Sequence, residues 1–259
     1  MLNILTEQSK IVFYTVTILL LKNYVLFFHK CNFLLIISVY TLKENKMNYI
    51  ISIMPSLLSG AKMTLILFLW TLIISIPLGI IVSLGLISHF KILRAILKFY
   101  IWIMRGTPLL LQLIFIFYGL PIIGIIFQRY NAALFAFILN YTAYFAEIFR
   151  GGFQSVPVGQ YESAHVLQLT KWQTLRHIII PQVSKIVIPS IGNEVINLVK
   201  DTSLVYVIGL GELLRAGNVA TARDVTLVPL VLVGIIYLLM TGIASFILKK
   251  IEHSYSKWK

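Results

Sequence analysis

The chain has 259 residues, 59% of them hydrophobic and only 12% charged, with a mean hydropathy of +0.90. Soluble domains carry about a quarter charged residues, so this composition excludes a water-soluble globule and indicates an integral membrane protein. The net charge of +13 lies mainly in short connections between apolar runs, where it reads as membrane orientation rather than nucleic-acid binding.

Several apolar runs reach the roughly 20 residues that a helix needs to cross a ~30 Å hydrocarbon core, and the alternating pattern of an outer-membrane barrel is absent. The expected fold is all-α, a polytopic transmembrane helical bundle. Cys31 is the only cysteine, so no internal disulfide can form. The sequence carries no CxxC, HExxH or GxxxxGK[ST] motif, so any ATP used must be bound by another chain.

Residues 1–46 are rich in Asn, Lys, Ile, Phe, Tyr and Leu, and their apolar run from Ile11 to Tyr40 is broken by Lys22, His29 and Lys30. A span such as Tyr24 to Thr41 would bury Lys30 at a cost of a few kcal/mol. No small-residue cleavage site follows the run, which argues against a signal peptide. Two readings stand: a sixth, N-terminal span, or an upstream extension of a functional protein that starts at Met47 and occupies 47–259.

A short amphipathic lead, Tyr49 to Pro55, is expected before a first secure span at about Met63 to Ile87. The basic stretch from Ser88 to Arg105 carries Ile92, Leu93, Ile96 and Leu97 at helical spacing, which suits an interfacial helix. Thr107 and Pro108 read as a helix cap and first helical position, opening a second span to about Phe127 that is interrupted at Gly119-Leu120-Pro121. The third span, about Ala132 to Phe149, is polar for its depth. Its Asn140, Tyr144 and Glu147 share one face, and Glu147 with Arg150 reads as an ion pair at its end.

From about Arg150 to Lys185 the sequence turns polar, and two short helices are expected there. The first runs from Pro157 or Gly159 to Leu167. The second starts at Thr170, where Thr170-Lys171-Trp172-Gln173 matches a capping box, and Pro181 is expected to close it. The fourth span, about Val187 to Leu210, places Asn193, Asn197, Lys200 and Asp201 on one face with Glu194 at its edge. Intramembrane polar groups face the bundle interior or a wet path, so Asn140, Tyr144, Asn193, Glu194, Asn197, Lys200 and Asp201 are the candidate pathway lining; helix-fixing pairs are the structural alternative. A mixed-charge loop with Glu212, Arg215, Arg223 and Asp224 precedes a fifth span, about Leu227 to Leu248.

With five core spans, twelve Lys and Arg fall on the side of the polar 151–185 loop and the C-terminus, and four on the other. The positive-inside rule then puts that loop and the C-terminus in the cytoplasm.

Tyr161-Glu162-Ser163-Ala164, followed by Leu167, Leu169, Trp172, Ile178, Ile180 and Pro181, resembles the EAA loop of the membrane subunits of bacterial ABC importers. Arg105-Gly106-Thr107-Pro108, the run Asn140 to Gly152, and Gly192-Asn193-Glu194 through Lys200 to Leu204 look like the polar amino acid permeases, the histidine, glutamine, glutamate and arginine group. The resemblance covers about residues 50–250. Ser163 stands where that family commonly has Ala. Gln168 stands where its turn glycine belongs, which implies a strained turn or a different join.

The resemblance implies a type I ABC importer permease fold in the bacterial cytoplasmic membrane and a transport subunit rather than an enzyme. Implied partners are a cytoplasmic ATPase, a second permease subunit in a homodimer or heterodimer, an extracytoplasmic amino-acid-binding protein, and membrane lipid, with no nucleic acid. No cofactor is expected on this chain, with ATP and magnesium in the partner ATPase. It further implies a coupling role for Glu162, Ser163, Ala164, Gln168 and Pro181, with Glu162 and Ala164 at the ATPase contact. Another small polar solute such as an opine or cystine, or a channel or regulator that docks a cytoplasmic partner, are the competing functions.

Overall fold

The computed structural model describes residues 45–256, so the alternatives for the N-terminal extension lie outside the described residues. Helix α1 runs over Asn45–Ile87 and passes through Pro55 and Pro77, so the expected break between an amphipathic lead and the first span does not occur. The residues from Met54 onward form a compact unit of their own.

Helix α2, Lys91–Gly106, has the amphipathic character expected of the basic stretch, and only Ile101 in it is buried. The chain then bends by 104° into a segment that continues to Ile123. This segment is not one regular helix: α3, Leu109–Ile114, widens into a π-helical turn at Phe115–Gly119 and tightens into a 3₁₀ turn at Leu120–Ile123. Pro121 and the left-handed Gly124 end it. The expected Thr107 cap is not formed. Thr107 closes α2 instead, its hydroxyl donating to the Ile103 carbonyl at 2.8 Å, and Pro108 takes the capping position of α3 without a side-chain bond.

Helix α4, Arg129–Gln154, is the hub of the bundle. Ala132, Ala133, Ala136, Ala143 and Ala146 are buried with Phe137, Tyr141 and Phe145, because small side chains let neighbouring backbones approach while the aromatics fill the gaps between them. A methyl group at Gly79 of α1 would lie 2.6 Å from the Phe145 Cβ and 3.2 Å from the Ala146 nitrogen, so only glycine permits this crossing. Thr71, Ser75 and Ser83, spaced by four and eight residues on the same side of α1, are fully buried. Ser75 and Ser83 return their hydroxyls to carbonyls of their own helix, which spares them an interhelical partner.

The polar loop forms α5, Val158–Val166, and α6, Lys171–Thr174. Pro181 does not close the second helix. The backbone widens into a π-helical turn at Leu175–Ile179 and runs on as α7, Ile180–Asp201, with Pro181 in its first turn. The wide turn absorbs the missing N–H and the ring clash that would otherwise stop the helix. A 3₁₀ segment, Thr202–Ile208, ends at the left-handed Gly209.

The expected mixed-charge loop is largely a helix, α8, Leu213–Asp224, capped by the Glu212 carboxylate, which accepts from the Leu214 and Arg215 amides at 2.6 Å each. Glu212 also accepts from the Tyr237 hydroxyl at 2.9 Å and is fully buried, pinning α8 to the last helix, α9, Val228–Ser256. Among the described residues, α1, α4 and α9 are long and apolar enough to cross a membrane, and the bent α2–α3 pair makes a fourth such segment.

Candidate translocation cavity and coupling loop

A cavity of about 640 Å³ opens where the α2–α3 break meets α4 and α7. Its polar wall consists of Arg105 and Thr107 at the break, Asn140, Tyr141 and Tyr144 on α4, and Glu194, Asn197 and Asp201 on α7. Glu194, Asn197 and Asp201 recur at i, i+3 and i+7, one stripe of an α-helix. Asn193 and Lys200 are exposed and lie outside the cavity lining. The helical face that lines the cavity therefore runs from Asn197 through Asp201 to Glu194 and leaves Asn193 and Lys200 outside, a rotation within a polar stripe too broad for spacing alone to resolve.

Hydrogen bonds between elements hold the wall. The Tyr141 hydroxyl donates to Asp201 Oδ2 at 2.7 Å, joining α4 to α7 inside the core. At the α2–α3 break the last carbonyls of α2 lose their helical partners. The Gln112 amide nitrogen donates to the Met104 and Thr107 carbonyls at 3.0 and 3.1 Å, and the Asn140 amide nitrogen donates to Met104 at 2.9 Å and to Gln112 Oε1 at 3.0 Å. Asn140, 4% exposed, thus braces the break as well as lining the cavity.

Arg105 projects from this braced end. Its guanidinium lies 5.1 Å above the Tyr144 ring and 3.7 Å from Glu147 Oε2. Glu147 is held more closely by Arg150, through Nη2 at 2.6 Å and Nε at 3.0 Å, the ion pair read from the sequence. Arg105, Gln112 and Tyr141 were not singled out from the sequence as site residues. Their signal was the Arg-Gly-Thr-Pro break itself, since a proline-interrupted helix inside a membrane leaves carbonyls that a nearby amide must satisfy.

The polar two-helix loop is built from local chemistry. Gln173 N–H donates to Thr170 Oγ1 at 3.3 Å and Thr170 N–H donates to Gln173 Oε1 at 2.9 Å, completing the capping box. Gln168 has φ 53°, the left-handed conformation expected of the glycine position. Its N–H donates to the His165 carbonyl at 2.9 Å, and Leu169 N–H donates to Ala164 at 3.0 Å, which is the Schellman pattern. The turn is therefore a standard join that carries a non-glycine residue. Glu162 and Ser163 are exposed, whereas Ala164 is 1% exposed. Ala164 faces its own chain and so cannot supply the contact expected of it; the exposed apolar side chains around the turn are Val158, Val166, Leu167 and Trp172.

A bent, discontinuous helix pair beside a polar cavity, with a two-helix loop following the long apolar α4, is the arrangement expected of a membrane transport subunit. Residues 75–257 match the family described as "Binding-protein-dependent transport system inner membrane component", and the chain belongs to that family. It is 39% identical over 182 residues to the arginine transport system permease protein ArtQ of Bacillus subtilis, covering 70% of this chain and 83% of that one. It is 34% identical over 182 residues to a putative glutamine transport system permease protein GlnP of Rickettsia conorii, covering 70% and 84%.

A crystal structure of an amino acid ABC transporter with histidines superposes with a TM-score of 0.75 at 33% identity, over 83% of this chain and 99% of that one. The MetNI methionine ABC transporter, in an inward-facing form, shares the fold with a TM-score of 0.62 at 16% identity, over 83% and 99%. The chain is accordingly a permease component of an ABC transport system, a transport subunit rather than an enzyme, with the ATPase on a separate subunit.

Proposed function

We propose that this permease moves cationic amino acids through the Arg105–Asp201 cavity, driven by an ATPase seated on α5. The observation that carries the substrate class is the placement of two acidic side chains, Glu194 and Asp201, against a single cation, Arg105, among the cavity-lining residues. A basic amino acid brings two cations and one carboxylate, the complementary set. The name of the Bacillus subtilis relative, an arginine permease, supports the same class. Asn197 and Tyr144 add polar contacts, and Asn193 and Lys200, exposed on the same helix, belong to the pathway outside this cavity.

The twelve-to-four Lys/Arg asymmetry supports a cytoplasmic 151–185 loop in a cytoplasmic membrane, with five core spans over 47–259 and the C-terminus inside. The exposed Glu162 and Ser163, with Val166 and Leu167 beside them, form the ATPase contact. Ala164 packs beneath it, and Gln168 and Pro181 set the angles at which the two short helices leave the membrane. ATP and magnesium act in the partner ATPase, and a binding protein delivers the amino acid from outside.

The test is ATP-driven uptake of labelled L-arginine by the complete importer in proteoliposomes, with L-lysine, L-glutamine and L-glutamate as competitors. L-lysine should compete and L-glutamate should not. Competition by L-glutamate at equal concentration overturns the substrate class, and uptake without ATP overturns the coupling.

A further inference from the structure

We propose that Arg105 is the cavity's carboxylate ligand and is shared with Glu147, so that an arriving α-carboxylate takes the guanidinium and leaves Glu147 to Arg150 alone. This rests on the cavity being the amino-acid site. Arg105 is the one cation among the cavity-lining residues, and its present holds are weak. The 3.7 Å separation from Glu147 is beyond hydrogen-bond range, and the Arg105 side chain is 43% exposed, so solvent screens the pair. Glu147 keeps a much better partner in Arg150, a two-pronged, charge-assisted contact at 2.6 and 3.0 Å. A substrate carboxylate therefore competes for Arg105 against the weaker of the two bonds that Glu147 makes.

Position makes the exchange more than a binding detail. Arg105 sits at the end of α2 immediately before the braced break, so its backbone is fixed while its side chain can swing between the Glu147 side and the cavity. At the other end, Arg150 Nη1 donates to Gln154 Oε1 at 2.6 Å. Gln154 is the last residue of α4, and α5 begins at Val158, so Arg105, Glu147, Arg150 and Gln154 run from the cavity to the edge of the coupling loop. Glu147 is thus a positioning residue whose charge is shared when the cavity is empty and undivided when it is filled. That gives the cytoplasmic end of α4 two electrostatic states set by occupancy.

Binding of L-arginine and of agmatine, which lacks the carboxylate but keeps the guanidinium, to the purified permease–ATPase complex without external binding protein separates the roles. The intact complex should prefer L-arginine by about tenfold or more, the size of one charge-assisted carboxylate contact. Arg105→Gln should bring that ratio to about one or below by weakening L-arginine, while agmatine, relieved of a like charge, binds at least as tightly. Glu147→Gln should tighten L-arginine about two- to fivefold, the worth of an exposed ion pair, leave agmatine unchanged, and diminish stimulation of ATP hydrolysis by L-arginine.

A tenfold preference that survives Arg105→Gln overturns the proposal, as does equal weakening of both ligands by Glu147→Gln. If Arg105→Gln fails to assemble, the Glu147→Gln arm decides. Should the intact complex bind neither ligand, or Asp201→Asn leave both affinities unchanged, the cavity reading itself falls and the proposal falls with it.

Discussion

The cavity and the coupling loop are built on opposite principles. The cavity wall is tied by bonds between residues far apart in the chain: Tyr141 to Asp201, Asn140 to Met104, Asn140 to Gln112. The coupling turn is tied within a few residues, by the Thr170 and Gln173 box and by the amides that close on Ala164 and His165. A locally closed unit keeps its shape when its surroundings move, whereas a wall made of bonds between helices changes whenever those helices shift. The same displacement can therefore leave the loop intact and remodel the cavity, which suits the proposed roles of the loop in receiving work and of the cavity in alternately holding and releasing an amino acid.

Disturbing the wall should produce the largest effects. Asp201→Ala removes one of the two cavity carboxylates and strands the Tyr141 hydroxyl. At about 1.5–3 kcal/mol for a charged hydrogen bond, L-arginine uptake at subsaturating concentration should fall by about ten- to a hundredfold. Tyr141→Phe keeps the carboxylate and loses only the tie, so it should cost less. Equal losses in the two variants would mean that Asp201 serves packing alone. On the loop, Glu162→Arg reverses a charge on the exposed face and should lower uptake by about tenfold while the protein still inserts and the turn still forms. Normal uptake by that variant would remove Glu162 from the ATPase contact.

The same division explains what could be read from the sequence. The capping box and the Glu147–Arg150 pair are local patterns legible from residue types a few positions apart, whereas the turn at Gln168 was marked only by the family resemblance, which left a strained turn and a different join both open. The continuation of the helix through Pro181 was not legible, because the wide turn at Leu175–Ile179 that lets the helix continue has no composition of its own. Nor was the helix after Glu212, whose cap lies among charged residues that also suit a loop and whose burial against Tyr237 is a tertiary event. The polar stripe of α7 was visible, but only contact with α4 selects Glu194 over Asn193 as its inward edge. Arg105 was read as a loop cation and not as part of the cavity, because nothing in its neighbourhood of sequence places it over the Tyr144 ring.

Close packing around the wall offers a smaller, structural break in the comparison. Gly79→Ala would press a methyl group onto the α4 backbone at Phe145 and Ala146, and overpacking of this kind costs about 1–3 kcal/mol. Gly234→Ala on α9 meets nothing within 4 Å and should cost nothing. Thermal unfolding in detergent should show a lowered midpoint for the first variant and not for the second. A matching fall in L-arginine affinity for Gly79→Ala alone would tie the α1–α4 crossing to the cavity.

The smallest effect belongs to the turn. Gln168 holds a left-handed conformation at φ 53°, which costs a non-glycine residue about 1–2 kcal/mol. Gln168→Gly relieves that cost in the folded chain but gives the unfolded chain more freedom, worth about 0.4–1 kcal/mol in the opposite direction. The net gain should be about 1 kcal/mol or less, read as slower amide exchange at Leu169, whose N–H closes the turn onto Ala164. Because the turn is locally closed, uptake and ligand affinity should stay within about twofold of the unaltered protein, within the range of a neutral surface change. A large change in uptake would mean that strain at Gln168 reaches the membrane helices, and the loop would then not be the self-contained unit that its hydrogen bonds describe.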